Sequence, residues 1–453
     1  MALIALPPAI ALAACAGQSP AGGATPAAKP GGAAIGRPTN WLQYHGNAAR
    51  TGELSGLPPA GQLKVAWSRK LGAPVYGQPL IIGSTVIAAT ESDQVYGLNR
   101  ANGAVRWRTR VGTPLPLGQQ PCGNINPLGI TGTPLYDQQT RLVYVVAQNG
   151  RTGHLLAALR VTNGHVAFTR NVPSPDHRPF YDQQRGALAL THGHIYVVFG
   201  GHFGDCGPYI GSVVAMPATG RGAIWSYRVP TRAEGGIWAP AGPVVSKSGT
   251  VYVAVGNGAA TRPPYDGSDS VVALTPRLRR TGFFAPTGWA ADNGSDLDLG
   301  SMSPALLADG LILQAGKRGT GYLLNASRLG GIGGQLAHGQ VCSSAFGGAA
   351  VTGTTVYVPC TGGGLTAVGT AHRRIRVLWH GPAAAWGSPV IGGGAVWVAD
   401  WNSGTLYQLA ARTGKVRHQI RLGGPLPHFA SPSLSGGLVL VGTMTGVTAV
   451  AGA

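Results

Sequence analysis

Hydrophobic positions along this chain come in short runs separated by glycine-rich turns, and the same order of runs keeps returning. Each unit reads as a strand led by small residues or proline, a tight turn, and a strongly apolar strand. A longer loop, another apolar strand, a turn and an aromatic strand follow. The second strands are TVIAAT, LVYVVAQ, HIYVVFG, TVYVAVG, LILQAG, TVYVPC, AVWVAD and LVLVGT. The third are QVYGLN, HLLAALR, SVVAMP, SVVALT, GYLLNA, GLTAVG, TLYQLA and GVTAV. First strands centre near Pro79, Pro134, Leu188, Pro243, Pro304, Ala350, Pro389 and Pro432, in steps of 39 to 61 residues. Runs of β-formers bounded by Gly, Pro and Asn predict strands. A four-strand unit repeating at roughly 40–50 residues predicts propeller blades.

Fourth strands carry aromatics, as in VRWRTRV, VAFTRNV, AIWSYRV and RVLWH, but the last unit stops after its third strand near Val450. The missing strand is LKVAWSRKL, residues 63–71, ahead of the first full unit. Pairing the two chain ends removes the open edge that an unclosed ring would leave. The pattern therefore predicts an all-β fold: an eight-bladed β-propeller of four-stranded antiparallel blades, closed by an N-terminal strand. In such blades the loops between strands B and C and between blades share one face. Here those loops are long and irregular, whereas the A–B and C–D turns are short, so the first face is the expected binding face.

Composition agrees with many short strands: 73 glycines, 34 prolines and 11% charged residues among 453. Residues 40–453 are expected to form a single propeller, with no apolar run of about 18 residues to span a membrane after the N-terminus. The apolar stretch Met1 to Ala14 and the sequence Leu12-Ala13-Ala14-Cys15 read as a lipoprotein-type export signal over residues 1–15, with Cys15 lipidated. Residues 16–39, rich in Ala, Gly and Pro, read as a flexible tether. The expected location is the outer face of the cell membrane, held there by the lipid.

Four further cysteines remain. Cys342 precedes strand A of the sixth unit and Cys360 ends its strand B, so both reach the binding face. The expectation is a Cys342–Cys360 pair and a Cys122–Cys206 pair bridging neighbouring blades; the alternative is four buried thiols. The formal charge is +19, but the 34 basic residues are scattered and nowhere denser than Arg279-Arg280 or Arg373-Arg374. That distribution argues against specific nucleic-acid recognition and suits weak attraction to an anionic envelope. A monomer is expected.

Candidate chemistry gathers on the same face. Trp238 precedes strand A of the fourth unit, and Asn257 follows its strand B inside a Gly-Asn-Gly turn. The loop ADNGSDLDLGS before the fifth unit holds Asp292, Asp296 and Asp298, a local concentration in a chain with 15 acidic residues. Lys317, one of six lysines, ends strand B of that unit. Structural alternatives exist for each: a packed tryptophan, a turn asparagine, a solvated acidic loop, an ordinary loop cation.

The repeats, the N-terminal NWLQYHGNAARTGELS and the segments CGNINPLGITGTPLYD, SDSVVAL, DLDLGSMSPALL and KRGTGYLLNASRLGGIGG resemble the pyrroloquinoline-quinone (PQQ) alcohol dehydrogenase-like propellers from about Asn40 to Val450. Their branch looks close to the polyvinyl-alcohol-dehydrogenase-like actinobacterial lipoproteins. The residues themselves fix no cofactor; the resemblance implies PQQ and Ca²⁺. It makes Trp238 the floor under the quinone and places Asn257 and Asp296 around the metal. Asp296 becomes the base and Lys317 the residue contacting the quinone and stabilising its charge. Asp205 stands in for an expected glutamate ligand. The sequence also departs from the family, since Cys122 stands without an adjacent cysteine and Leu128-Gly129 replaces an arginine-glycine pair. Two functions follow: an envelope-anchored propeller binding a protein, polymer or other ligand beside a relic cofactor pocket, or a PQQ- and Ca²⁺-dependent dehydrogenase oxidising an alcohol or sugar-like substrate.

Overall fold

Strands buried on both faces lie inside the blades, and strands buried on one face sit at the rim. This contrast follows from the apolar pattern. Strand B of blade 1 (Thr85–Ala89) and of blade 4 (Val251–Val255) are buried at every position. Outer strands such as Arg376–His380 alternate between exposed and half-buried positions. The computed structural model describes residues 36–59 and 61–452, whose strands form eight sheets, each built on four antiparallel strands, arranged as an eight-bladed ring. The ring closes as the pattern requires. Lys64–Lys70 pairs antiparallel with Gly446–Ala451, from Lys64 opposite Ala451 to Lys70 opposite Gly446.

Neighbouring blades are tied by a repeated contact. A rim tryptophan donates its indole N–H to a carbonyl of the next blade's C–D turn: Trp67 to Arg100 at 2.9 Å, Trp107 to Val161 at 3.0 Å and Trp379 to Ala411 at 3.1 Å. The aromatic fourth strands therefore serve inter-blade packing, with the one polar indole atom satisfied.

Three short additions were not legible in the repeat. Gly331–Ile332 lies parallel to the fourth strand of blade 4, Glu53–Leu54 parallel to Val390–Gly392, and Asp182–Gln183 antiparallel to strand B of blade 3 (His194–Gly201). The expected export signal, with Cys15, and residues 16–35 lie outside the described residues. The last part of the expected 16–39 tether packs on the ring instead. Thr39 N donates to Ser435 Oγ at 3.0 Å, and Arg100 reaches the Gly36 carbonyl at 3.3 Å. No helix among the described residues is long and apolar enough to cross a membrane.

The segment between the tether and the closing strand blocks the axis. Its backbone bonds in turn to first strands or their neighbours in several blades: Trp41 with Ile81, Leu42 with Tyr136, Ala48 with Val245, Thr51 with Val351 and Gly52 with Ile391. Arg50 is buried at the centre and donates to the carbonyls of Pro243, Leu188 and Tyr44. Carbonyl dipoles from several elements thus solvate a guanidinium that makes no ion pair among the described residues. His45 lies alongside, stacked on Tyr44 with ring centroids 4.2 Å apart, and burial pushes its pKa down to about 3. The ring consequently carries a dead-end funnel.

Candidate functional site

Loops between strands B and C and between blades converge around the axis and enclose a cavity of about 530 Å³, within the range of small-molecule sites. Tyr44 of the axial segment lines it, as do Trp238, Asn257, Asp296, Lys317 and Asp205. Five residues singled out from the sequence therefore share one space, although they span 113 positions from Asp205 to Lys317.

The charged wall comes from blades 4 and 5. Lys317 Nζ lies 2.6 Å from Asp296 Oδ1 and 2.6 Å from Asp298 Oδ2. The two carboxylates are not equivalent, because the Asp296 side chain is 69% exposed and that of Asp298 is 4% exposed. Burial opposes the charge on Lys317, but the two carboxylates outweigh it and hold its pKa above the ordinary lysine value. Asp298 Oδ1 also accepts from the Asn257 backbone N–H at 2.6 Å. With its nitrogen facing the carboxylate, the Asn257 amide donates to Asp298 Oδ2 at 3.1 Å.

This contact explains the glycine before Asn257. A Cβ on Gly256 would collide with Asp298 Oδ1, and one on Gly316 would collide with the Asp298 carbonyl. Both glycines therefore serve close approach as well as turn geometry. The aspartate that meets Asn257 is Asp298, two residues beyond the one inferred from the family resemblance. Asp296 takes a left-handed backbone conformation (φ 52°), whereas Asp298 leads into the 3₁₀ turn Leu299–Ser301.

An aromatic wall faces these charges. Trp238 and Phe346 have ring centroids 6.3 Å apart, Phe346 and Phe429 6.1 Å, Phe429 and His428 6.0 Å, His428 and Trp401 4.1 Å, and Trp401 and Trp386 5.1 Å. The chain of rings crosses from blade 4 to blade 8. Phe429 holds a positive φ of 63°, an uncommon conformation for a bulky residue. The sequence reading missed this arc because its members come from separate loops.

Arg185 completes the ring of chemistry. Its guanidinium carbon lies 5.9 Å from the Trp238 ring centroid, within cation–π range. The ion pairs among the described residues are Lys317 with Asp296 and Asp298, and Arg318 with Asp292; Arg185 takes part in none. Three other cavity-lining groups, Tyr44 Oη, His202 Nε2 and Trp386 Nε1, are buried without a hydrogen-bond partner among the described residues. Burial also pushes His202 down to about 4, which keeps the imidazole neutral. Asp205 is engaged already, since its Oδ1 accepts from Tyr209 Oη at 2.6 Å.

Glu234, also missed in the sequence, lies behind Asn257, with Oε2 3.4 Å from the end of the amide turned away from Asp298. Burial and the charges of Asp205, Asp298, Asp296 and Asp266 raise its pKa. Among the described residues, no three His, Cys, Asp or Glu side chains converge as a metal-binding group.

Both expected disulfides are present, Cys122–Cys206 and Cys342–Cys360, each with Cα atoms 5.9 Å apart. They flank the funnel on opposite walls. Asn124 and Gly204 beside the first line the cavity, as does Thr361 beside the second.

The family model for outer membrane protein assembly factor BamB matches residues 59–263. Among solved structures, quinohemoprotein alcohol dehydrogenase ADHIIG from Pseudomonas putida HK5 is 14% identical, with a TM-score of 0.69 over 91% of this chain and 80% of that one. A europium-containing methanol dehydrogenase is 15% identical, with a TM-score of 0.67 over 91% and 98%. BamB from Moraxella catarrhalis is 15% identical, with a TM-score of 0.57 over 86% and 97%. No curated protein matches the chain. At these identities the structural likeness is one of fold, and the fold serves both enzymes and assembly factors.

Proposed function

For this chain, which belongs to the PQQ-repeat β-propellers, we propose a ligand-binding role in the cell envelope, with the funnel cavity taking a flat, ring-bearing anion. The observation that carries this reading is Arg185 beside Trp238, a cation lining the cavity that makes no direct ion pair among the described residues, with only the more distant Glu91 and Asp205 acting on its charge. A planar ring gains contact area on the indole, and a carboxylate or similar anion gains a charge-assisted pair with the guanidinium. Tyr44, His202 and Trp386 line the same cavity. The ligand is a small molecule or the end of an acidic envelope polymer. Export and lipid anchoring through Cys15 belong to the same proposal, supported by two disulfides of a kind that persists in oxidising compartments.

A PQQ- and Ca²⁺-dependent dehydrogenase acting on alcohols is the second reading, favoured by the shared placement of Trp238, Asn257, Asp296 and Lys317 around one cavity. The quinone fits the cavity's chemistry: a flat polyanion matches Trp238 and Arg185. The metal does not fit. Lys317 Nζ already touches both aspartates that would hold it, and Asp205 is bonded to Tyr209. Titrating PQQ into the protein, with tryptophan fluorescence and quinone absorbance as readouts, separates the readings. The binding role predicts saturable binding that is indifferent to Ca²⁺ and lost in Arg185→Gln and Trp238→Ala. Binding that requires Ca²⁺, accompanied by dye reduction with an alcohol, supports the dehydrogenase. If neither PQQ nor an acidic oligosaccharide binds, the proposed ligand class is wrong.

A further inference from the structure

We infer that the outer edge of blades 6, 7, 8 and 1, on the side away from the funnel, docks on an anionic phospholipid bilayer, so that the funnel opens away from the membrane. The inference takes from the preceding reading only the envelope location and does not depend on what the cavity binds.

Basic residues that are scattered in the sequence are sorted by the closed ring. The outer strands of these four consecutive blades are Arg376–His380, Val416–Arg421, Lys64–Lys70 and Val105–Arg110. Together they carry nine lysines and arginines and no acidic residue. The outer strands of blades 2 to 5, Val166–Val172, Trp225–Arg228, Arg280–Ala285 and Ala337–Gln340, carry three. Charge on an edge strand blocks pairing with another chain, but that need is the same in all eight blades. It does not account for an excess on one half of the ring. Outside the funnel loops, the acidic residue of this half is Glu53. It pairs with the opposite edge of the blade 7 sheet and accepts from Thr352 Oγ1 at 2.9 Å.

An exposed aliphatic side chain accompanies the charges on each of the four strands. Val65, Val105, Leu378 and Val416 are 44%, 45%, 48% and 45% exposed. The three valines lie within two residues of their strand's start, at the C–D-turn end away from the funnel. Cations that reach headgroup phosphates, with aliphatic groups entering the interface beside them, suit a charged bilayer surface. Each basic residue near such a surface is worth roughly fivefold in affinity.

The N-terminal approach meets the same corner. Gly36 packs against the Gly436 turn of blade 8, Arg100 of blade 1 reaches the Gly36 carbonyl at 3.3 Å, and Asn40 Oδ1 accepts from the Gly83 N–H at 2.8 Å. These are A–B and C–D turns. The chain that leads back to Cys15 therefore joins the ring on the side away from the funnel, between blades 8 and 1, whose outer strands carry three basic residues each.

The test uses the full chain with Cys15→Ser, so that no lipid contributes, and sedimentation with phosphatidylcholine vesicles that contain or lack phosphatidylglycerol. Saturable binding is expected with phosphatidylglycerol, little without it, and a steep loss at high ionic strength. Lys64→Gln/Arg376→Gln/Lys415→Gln/Arg417→Gln should weaken binding at least about thirtyfold. Arg160→Gln/Arg228→Gln/Arg262→Gln/Arg279→Gln removes the same charge from blades 2 to 4 and should weaken it less than about threefold. All eight side chains are exposed, so both variants should melt with the wild type. Equal losses from the two variants, or equal binding to both kinds of vesicle, overturn the docking surface. A fluorophore on Val416→Cys should shift to the blue on phosphatidylglycerol vesicles, and one on Met444→Cys, in the B–C turn on the funnel side, should not. A shift at Met444→Cys without one at Val416→Cys overturns the orientation. Alginate bound in preference to the vesicles, through the same four residues, overturns the bilayer as the partner. None of these outcomes bears on the quinone titration, so the two readings fail separately.

Discussion

The two walls of the funnel are built on different principles. On the wall from blades 4 and 5, Lys317, Asp296, Asp298 and Asn257 satisfy one another. Across it, the rings from Phe346 to Trp386 touch mainly other rings, and Trp386 keeps an unpartnered indole nitrogen. Charge that is already neutralised offers a ligand little, whereas the aromatic faces that line the cavity have more left to give. Trp238 joins the two walls, and Arg185 is the cation that remains available. Binding energy is thus expected from the aromatic side and from Arg185, and rigidity from the charged side.

Removing the ring beneath both walls is the largest perturbation. Deleting residues up to Leu71 takes away the axial segment and the closing strand and exposes the edge of Gly446–Ala451. Loss of a cooperative thermal transition is expected, and calorimetry checks it. The disulfides then test two sides of the funnel, the loops of blades 1 to 3 and those of blade 6. By loop-closure entropy, Cys122–Cys206, spanning 84 residues, contributes about 4.5 kcal/mol and Cys342–Cys360, spanning 18, about 3 kcal/mol. Paired serine variants should therefore rank in that order in denaturant unfolding.

Asp298→Ala attacks the charged wall directly. It leaves the Asn257 N–H without its acceptor and Lys317 with only the exposed Asp296, costing about 2 kcal/mol. Ca²⁺-independent ligand binding should change much less than stability. Phe346→Ala makes the opposite cut by breaking the arc between Trp238 and Phe429. Affinity for the ring-bearing anion should fall roughly tenfold with little change in unfolding midpoint. If Asp298→Ala abolishes binding while Phe346→Ala leaves it intact, the assignment of the walls is reversed.

The smallest expected effect lies behind the Arg185 side. Glu91 is fully buried, and burial raises its pKa from 4.5 to about 7, against the pull of Gly129 N–H and Thr131 Oγ1. The folded state therefore holds a proton that the unfolded chain releases. Stability from this group is present below about pH 4.5 and is lost as pH rises through about 7. Glu91→Gln should flatten that decline and raise the midpoint at pH 8 by on the order of one or two degrees, as a melting series across pH can show.

The ring was legible because its information is local. Alternating and fully apolar runs, tight turns and the missing last strand each lie within a few residues of one another, so eight blades and the closure by residues 63–71 follow from period and count. The face that carries the cavity was legible too, because topology alone decides where each loop emerges. Trp238, Asn257 and Lys317 could be gathered onto that face by the same reasoning, and Cys342 with Cys360.

Tertiary structure decided what period cannot encode. Asp296 and Asp298 lie two residues apart in one irregular loop, and only the left-handed turn at Asp296 and the 3₁₀ turn after Asp298 determine which carboxylate is buried. The aromatic arc draws its rings from loops of several blades, so no window of sequence contains it. The axial segment carries no repeat at all. Its part in closing the funnel arises because Arg50, once inside, must find carbonyls, and those of Pro243 and Leu188 are brought to it by the closed ring.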